Sequence, residues 1–248
     1  MIPLELMKVL NLIIASIDEP YYVLLMRQWG RYMNAHPDVV SYFIRFDKEA
    51  CGEEDYVTDA LTNTLFLNGK DGYIPEIYDK TSLAMKILLS LPSYADVDYV
   101  VRTNLSSFWI WDNLISDLIE KPRHGFIGAV IGDANGRTPF ASGCGMVMSR
   151  DVAQLWANNF DYPMKRRTFD DVAFGRLLAE EQVPIVHAGR FDIEAHHSFP
   201  AVIETIRLSK VYHVRNKIHW DQGLRKSGRE AENYAMLIDT FYGKKDPI

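Results

Sequence analysis

The chain has 248 residues, of which 48% are hydrophobic and 24% are charged, a composition that indicates a folded globular protein and excludes a disordered or collagen-like chain. Its formal net charge is −6 and it has no stripe of Lys and Arg, so we expect no nucleic acid as a partner. The two cysteines, Cys51 and Cys144, are too few for a disulfide framework, and we expect two free thiols in a reducing compartment.

The first apolar segment, from Val9 to Ile17, predicts a buried strand. It is too short to cross a bilayer, and Asn11 interrupts it. It also lacks the charged leader and the small-residue cleavage site of a signal peptide. We therefore expect a cytoplasmic protein with no membrane span.

Strands and helices alternate through the first hundred residues. Apolar, β-branched runs predict the strands, and apolar residues three or four positions apart predict the helices. In chain order we predict a strand at Lys8–Ala15, a helix with its apolar face from Tyr22 to Met33, strands at Val39–Ile44 and Thr64–Leu67, a turn at Asn68–Gly72, a helix at Glu76–Leu91 and a strand at Asp98–Val101.

The second half continues this pattern and then becomes irregular. Ser106 or Ser107 is the predicted N-cap of a helix that buries a face from Trp111 to Ile119. In chain order there follow strands at Gly125–Ile131 and Gly145–Met148 around a polar loop at Gly132–Pro139, helices at Arg150–Asn158 and Asp170–Gln182, and a strand at Ile185–His187. We predict that residues 188–222 are an irregular region that closes over a ligand as a lid, and that residues 223–243 form a C-terminal helix.

This order of elements predicts an α/β fold with a mostly parallel central sheet and helices on both of its faces. No Pro/Gly/Ser-rich linker and no internal repeat divides the chain, so we expect one domain over residues 1–248. Ligands of such sheets bind outside the carboxyl ends of the strands. That edge would carry Ser16–Asp18, Arg102–Asn104 and the loops around Gly143 and Asp171.

Four segments, taken in order, resemble a known family. They are Tyr78–Thr81, the strand Asp98–Asn104 that ends in a polar triplet, the Gly-rich segment Ser142–Asp151, and Phe169–Gly175, where an acidic pair opens a helix. Over about residues 8–180 the chain resembles glycosyltransferases of the GT-A fold, nearest the inverting β-1,3-galactosyltransferase and Fringe group. The resemblance implies a Rossmann-like sheet, a nucleotide-sugar donor, a glycan or other hydroxyl acceptor, and a single displacement that inverts the anomeric configuration.

The chain departs from the resembled family at the end of the central strand. There the family has Asp-x-Asp, whose carboxylates hold a divalent cation, Mn²⁺ or Mg²⁺, against the donor diphosphate. The equivalent triplet here is Arg102-Thr103-Asn104. Arginine repels a cation and pairs bidentately with a phosphate, so we expect Arg102 to do directly what the metal does elsewhere. A divalent metal stays an alternative, for which the resemblance offers His213 as a ligand.

A literal Asp-x-Asp does occur at Asp96–Asp98, but it lies at the amino end of its strand, where we expect a solvated turn. The resemblance assigns the general base that deprotonates the acceptor to Asp171, with Asp170 as the second choice. The remaining assignments are donor contacts at Ser16, Asp18, Lys80, Arg102 and Asn104, and acceptor contacts at Ser142, Gly143 and Cys144.

Each assignment competes with a purely structural role for the same residue. Thr168-x-x-Asp171 has the form of a capping box, which by itself explains two carboxylates at a helix start. The structural alternative for Arg102 and Asn104 is that they donate hydrogen bonds to loop carbonyls, and the alternative for Lys80 is a solvated lysine on a helix. The competing roles that remain are a tight turn at Gly143 and Gly145, and solvated loop positions for Asp192, Glu194, His196 and His197.

Two other functions stay open on the sequence alone. A binding protein that keeps the GT-A fold and has lost catalysis would explain the missing Asp-x-Asp. A nucleotidyltransferase would also bind a nucleotide on an α/β sheet, but it needs acidic metal ligands at a strand end, which the sequence does not offer.

Overall fold

A computed structural model describes residues 7–133, 139–194, 196–217 and 228–243. The strands in these ranges are β1 (Val9–Ile14), β2 (Val39–Phe46), β3 (Tyr56–Asp59), β4 (Thr64–Leu67), β5 (Tyr99–Asn104), β6 (Ser107–Trp109), β7 (Ile127–Asp133), β8 (Pro139–Ser149), β9 (Ile185–His187), β10 (Phe191–Asp192) and β11 (His213–Arg215). The helices are α1 (Pro20–Gly30), α2 (Lys48–Cys51), α3 (Glu76–Ser90), α4 (Trp111–Leu118), α5 (Arg150–Asn158), α6 (Asp170–Glu180), α7 (Phe199–Ser209) and α8 (Gly228–Phe241), with short 3₁₀ turns at Pro92–Tyr94 and Pro163–Arg166.

The described residues form a central sheet of eight strands, in the order β3-β4-β2-β1-β5-β8-β7-β9. Strands β4, β2, β1 and β5 run parallel to one another, and β8 runs antiparallel to both of its neighbours. A second sheet, in the order β10-β11-β6, lies beside it. The predicted α/β class with a mostly parallel sheet is confirmed.

The side chains of β1 show how the sheet is covered on both faces. Val9 and Ile13 belong to a core cluster with residues of α1, α4, α7 and α8. Leu10 and Leu12, which alternate with them, belong to a second cluster with residues of α3, α5 and α6. Because successive strand residues point to opposite faces, an apolar run buries both. The predicted helices on both faces are confirmed, and no helix in the described ranges is long and apolar enough to cross a bilayer.

The predicted N-cap role of Ser106 or Ser107 is wrong. Ser107 begins β6, and α4 starts only at Trp111, with no side-chain cap. Strand β6 pairs antiparallel with β11, which buries Phe108 and Trp109 in the second sheet. This long-range pairing outweighs the local capping signal, which carries no information about partners distant in the chain.

The region 188–222 is more regular than predicted, because it contains β10, α7 and β11. In α7, Val202 and Ile206 are spaced four apart and are almost completely buried, as a packed helix requires. Residues 218–222, and residues 223–227 of the predicted C-terminal helix, lie outside the described residues. The closing of this region as a lid stays a prediction.

The glycine-rich segment near residue 143 is strand and not a turn, so the prediction of a turn there is wrong. Both Gly143 and Gly145 lie inside β8. A Cβ atom on Gly145 would come within 2.5 Å of the His213 ring and 2.7 Å of the Trp109 ring, so this glycine lets the second sheet approach β8. Strand β7 likewise runs through Gly132 into the predicted polar loop, of which residues 134–138 lie outside the described residues.

Candidate functional site

A cavity of about 410 Å³ opens at the carboxyl ends of β1 and β5. These ends meet because β1 and β5 pair in parallel, with Ile14 opposite Asn104. We call it the edge cavity, and residues that line it include Ser16, Asp18, Asp71, Tyr73, Lys80 and Asn104. Its size lies within the range of small-molecule sites, and its place is the one expected for a ligand of an open α/β sheet.

Lys80 connects three segments at the wall of the edge cavity. Its side chain is only 2% exposed, and its Nζ donates to the Ala15 carbonyl at 2.9 Å and pairs with Asp71 Oδ1 at 2.6 Å. Burial lowers the pKa of Lys80, and the Asp71 carboxylate opposes this. The alternative of a solvated helix lysine is therefore wrong, since the ammonium fixes the loop that carries Asp71 to the end of β1.

Arg102 lies deeper than its position near a strand end suggested. The predicted polar triplet belongs to β5, and Arg102 sits opposite Met146 of β8 with 1% exposure. Its guanidinium donates to the Gly143 carbonyl, to Asp170 and, at 3.1 Å, to Asn104 Oδ1. Contact of Arg102 with a donor phosphate stays a prediction, and it would require the ion pair with Asp170 to open.

The last residue of β5 and the two residues after it do reach the edge cavity. Asn104, Leu105 and Ser106 all line it. Their polar groups are a neutral amide and a neutral hydroxyl, and the amide oxygen already accepts from Arg102. Asn104 therefore joins the edge cavity to the buried ion pair of Arg102 and Asp170.

The acidic pair lies at the start of α6. The helix begins after an extended Phe169, and no side chain caps it, so the capping-box alternative for Thr168 and Asp171 is wrong. Asp171 instead reaches across to β8, where its Oδ2 accepts from the Gly143 amide at 3.0 Å, and its Oδ1 accepts from the Val172 amide at 2.9 Å. Carboxylates in the first turn of a helix are favoured by the helix dipole.

The two aspartates have different surroundings. Asp170, whose side chain is 12% exposed, pairs with the buried Arg102, and burial raises the pKa of Asp170 while the guanidinium opposes that rise. Asp171 is half-buried, and each of its oxygens accepts a single backbone hydrogen bond. Asp171 therefore keeps acceptor positions for another proton donor, whereas Asp170 is committed to Arg102.

Gly143 lies between these charged groups. A Cβ atom there would come within 2.9 Å of Arg102 Nη1 and 3.1 Å of Asp171 Oδ2. The absence of a side chain thus allows the guanidinium and the carboxylate both to approach the β8 backbone at this position.

The other two predicted acceptor residues flank Gly143 on β8, and neither lines the edge cavity. Ser142 Oγ accepts from Arg190 at 3.3 Å, and Cys144 is buried. The Cys144 carbonyl accepts from the hydroxyls of Thr103 and Ser107. Cys51 and Cys144 are both free thiols, as predicted.

Tyr73 joins the edge cavity to the acidic pair, although no motif in the sequence pointed to it. It lines the cavity, it is 65% exposed, and its ring meets the 52% exposed ring of Phe169 edge-on, with centroids 5.7 Å apart. Partial burial raises the pKa of Tyr73, and the nearby charges of Asp170 and Asp171 add to the rise, so the phenol stays protonated at neutral pH. The two rings form an exposed aromatic pair beside Asp171.

Arg215 and Lys217 also line the edge cavity and were missed by the sequence reasoning. Arg215 ends β11, where it pairs with Ser107 of β6. Their position depends on a strand pairing across about a hundred residues of chain, for which the sequence carries no local signal.

The end of β5, where the resembled family has its carboxylates, offers the edge cavity no ligand for a divalent cation, because Asn104 and Ser106 are neutral and Arg102 donates to Asn104. The carboxylates that do line the cavity, Asp18, Glu19 and Asp71, lie on other segments, and Asp71 is paired with Lys80. His213 is buried and stacked on Trp109, and its Nε2 lies 3.0 Å from Ser107 Oγ. In the described part of the chain, no three His, Cys, Asp or Glu residues are grouped so that they could hold a metal ion.

The remaining acidic clusters lie elsewhere. Asp96 and Asp98 bind Lys8 and Arg123 at the amino end of β5, which agrees with the prediction of a turn on the wrong side for a ligand. Asp192 pairs with Arg190.

No protein-family model and no curated protein matches the chain. Among solved structures, it is similar to a glycosyltransferase involved in glycosylation of the major capsid of PBCV-1, with 8% identity, a TM-score of 0.52, and coverage of 92% of this chain and 99% of that chain. Similar too are the galactosyltransferase LgtC in complex with donor and acceptor sugar analogues (12% identity, 96% and 98% coverage, TM-score 0.46) and the glycosyltransferase GlyE of Streptococcus pneumoniae TIGR4 (12% identity, 97% and 61% coverage, TM-score 0.49). The first likeness, over nearly the whole of both chains, shows that this chain has the GT-A fold.

Proposed function

We propose that the protein is a glycosyltransferase that moves a sugar from a nucleotide-sugar donor to an acceptor hydroxyl. The observation that carries this proposal is the position of the edge cavity next to the acidic pair of α6. Tyr73 and Asn104 line the cavity, and they reach Phe169 and the Arg102–Asp170 ion pair respectively. A donor in the cavity would thus present its sugar towards Asp171.

Four of the five predicted donor residues line the edge cavity: Ser16, Asp18, Lys80 and Asn104. Asp18 is exposed and follows β1, where a carboxylate is suited to accept hydrogen bonds from ribose hydroxyls. The ion pair of Lys80 and Asp71 is joined to the end of β1, because Lys80 also donates to the Ala15 carbonyl. A nucleoside bound against β1 with its phosphates directed towards β5 agrees with this distribution of groups.

The proposed chemistry is a single displacement. Asp171 accepts the proton of the acceptor hydroxyl while that oxygen forms a bond to the anomeric carbon. The bond from this carbon to the phosphate oxygen breaks, and its electron pair leaves with the nucleotide. In-line attack inverts the anomeric configuration, as the family resemblance implies. General-base assistance is worth about 10²–10⁴-fold, and positioning in the cavity supplies much of the rest.

The acceptor would approach over the exposed pair of Tyr73 and Phe169. The axial C–H groups of a sugar ring form an apolar face that packs on an aromatic ring, and the ring hydroxyls stay free for hydrogen bonds. This path leads to Asp171. Of the predicted acceptor residues, Gly143 contacts that carboxylate through its backbone amide.

A second candidate function is a GT-A-like protein that binds a nucleotide sugar or glycan without turnover. The observation that favours it is the absence of carboxylates among the residues that β5 directs into the edge cavity. The enzyme predicts donor binding and turnover, whereas the binding protein predicts binding of a nucleotide sugar or a glycan without turnover.

A thermal-shift screen against UDP-, GDP- and dTDP-sugars tests the proposal. We expect one nucleotide class to raise the melting temperature and the matching free sugar to leave it unchanged. Mass spectrometry of the released nucleotide then tests turnover of that donor. If no sugar nucleotide stabilises the protein, the proposed function is wrong.

A further inference from the structure

Arg215 is the cation of the edge cavity whose hydrogen-bonding capacity is least used. It shares with Arg45 and Arg102 a buried Nε atom that has no hydrogen-bond partner in the described part of the chain. Arg45 and Arg102 satisfy terminal nitrogens with carboxylates, through ion pairs to Asp47 and Asp170. Arg215 has neither an ion pair nor a side-chain hydrogen bond with any residue in the described ranges.

Buried polar groups of native proteins have partners, and a group without one in the protein points to water or a ligand. Arg215 lies at the end of β11 and lines the edge cavity. Lys80, by contrast, is already bound to Asp71 and to the Ala15 carbonyl. The guanidinium of Arg215 therefore places a positive charge at the wall of the cavity, with an Nε donor that no described residue satisfies.

We propose that Arg215 binds the diphosphate of the donor and supplies the positive charge that a divalent cation would otherwise supply. This inference rests on the proposed glycosyl transfer and adds to it a ligand class, a nucleoside diphosphate, and independence from metal. The planar fork of a guanidinium matches two phosphate oxygens and stays charged at every physiological pH. Asn104 and Ser106 line the cavity together with Arg215, and their neutral groups neither hold a cation nor repel a phosphate. The lining carboxylates Asp18, Glu19 and Asp71 belong to other segments, and Asp71 is neutralised by Lys80.

Isothermal titration calorimetry in excess chelator tests the proposal. The titrants are UDP, GDP and dTDP, each with its nucleoside, and the proteins are wild type, Arg215→Ala, Arg215→Lys and Arg45→Ala. Arg45 is a matched control, because it also buries an unpartnered Nε but lies on β2 outside the edge cavity. Circular dichroism checks that each variant is folded.

We expect wild type to bind one nucleoside diphosphate in chelator. Arg215→Ala should weaken that binding about 10–100-fold and leave nucleoside binding unchanged, because one charge-assisted bidentate contact is lost. The diphosphate affinity of Arg215→Lys should lie between those of wild type and Arg215→Ala, because lysine keeps the positive charge but lacks the planar fork of donors. The diphosphate affinity of Arg45→Ala should match that of wild type.

Three results would overturn the inference in distinguishable ways. Equal diphosphate affinity in wild type and Arg215→Ala refutes the role of Arg215 and leaves the proposed function standing. Binding that disappears in chelator and returns with Mn²⁺ refutes metal independence. No binding of any nucleoside diphosphate to wild type, with or without Mn²⁺, refutes this inference and the proposed function together.

Discussion

Asp170 and Asp171 are neighbours in sequence, but Asp170 forms an ion pair and Asp171 accepts backbone hydrogen bonds. Asp170 pairs with the buried guanidinium of Arg102, so it holds the sheet and α6 together. Removing one partner of such a buried pair costs about 3–5 kcal/mol, because the other charge is left unpaired. Asp171 accepts two backbone hydrogen bonds beside the exposed aromatic pair, a position from which it can take a proton.

These surroundings predict different outcomes for the two isosteric substitutions. Asp171→Asn should fold and bind donor, and should lose about 10²-fold or more in turnover, because the amide cannot accept the proton. Asp170→Asn should chiefly lower the free energy of unfolding, because Arg102 loses its counter-ion. Urea unfolding and steady-state kinetics on the same preparations check both predictions. Near-normal turnover in folded Asp171→Asn would contradict its assignment as the base.

Gly143 provides a test of the contact between β8 and the charged pair. Gly143→Ala should lower the free energy of unfolding by about 1–3 kcal/mol, because the added Cβ would lie 2.9 Å from Arg102 Nη1 and 3.1 Å from Asp171 Oδ2. Gly189→Ala is the matched control, since nothing lies within 4 Å of its added Cβ, and it should change stability by less than about 0.5 kcal/mol. Equal stability of the two variants would show that this glycine is not needed for packing.

The second sheet brings His213 and Arg215 to the central sheet. Strand β11 pairs with β6, and the His213 ring stacks on Trp109 with centroids 4.4 Å apart. Burial lowers the pKa of His213 well below the usual 6.5, and the nearby charges of Arg190 and Arg215 add to this effect. The folded protein therefore holds this imidazole neutral.

A pH dependence of stability follows from this lowered pKa. Below about pH 6.5 the unfolded chain takes up a proton at His213 that the folded chain does not, so stability is lost as pH falls through this window. The loss is at most about 1.4 kcal/mol per pH unit. Urea unfolding at pH 7 and pH 5 should show that the free energy of unfolding falls less in His213→Gln than in wild type.

His124→Gln is the control, because that side chain is 89% exposed, and its pH dependence should follow wild type. The same loss between pH 7 and pH 5 in all three proteins would contradict a buried neutral imidazole at position 213.

Across the whole molecule, patterns local in the sequence predicted most of the fold. Alternating strands and helices led to the mostly parallel sheet, and the rule for strand ends led to Ser16, Asp18 and Asn104. The depth of Arg102 could not be predicted, because it depends on how far β5 continues and on which elements cover it. Arg215 and Tyr73 were missed because a distant strand pairing and a loop bring them to the cavity.

Turnover, for which we propose Asp171 as the base, is what distinguishes an enzyme from a binding protein of the same fold. A site that only binds would need Asp18, Asn104 and Arg215 around a nucleotide, and it would not need Asp171 to accept a proton. Donor binding alone does not separate the enzyme from the binding protein, so sugar transfer itself has to be measured.

The most direct test is to incubate the stabilising donor and the protein with a panel of acceptor glycans, and to follow acceptor mass and released nucleoside diphosphate together. We predict that one acceptor gains the mass of one sugar residue and that an equal amount of nucleoside diphosphate appears, with both signals reduced about 10²-fold or more in Asp171→Asn. A donor that binds tightly while no acceptor gains mass and no nucleotide is released would contradict the claim, and would identify the protein as a binding protein built on the GT-A fold.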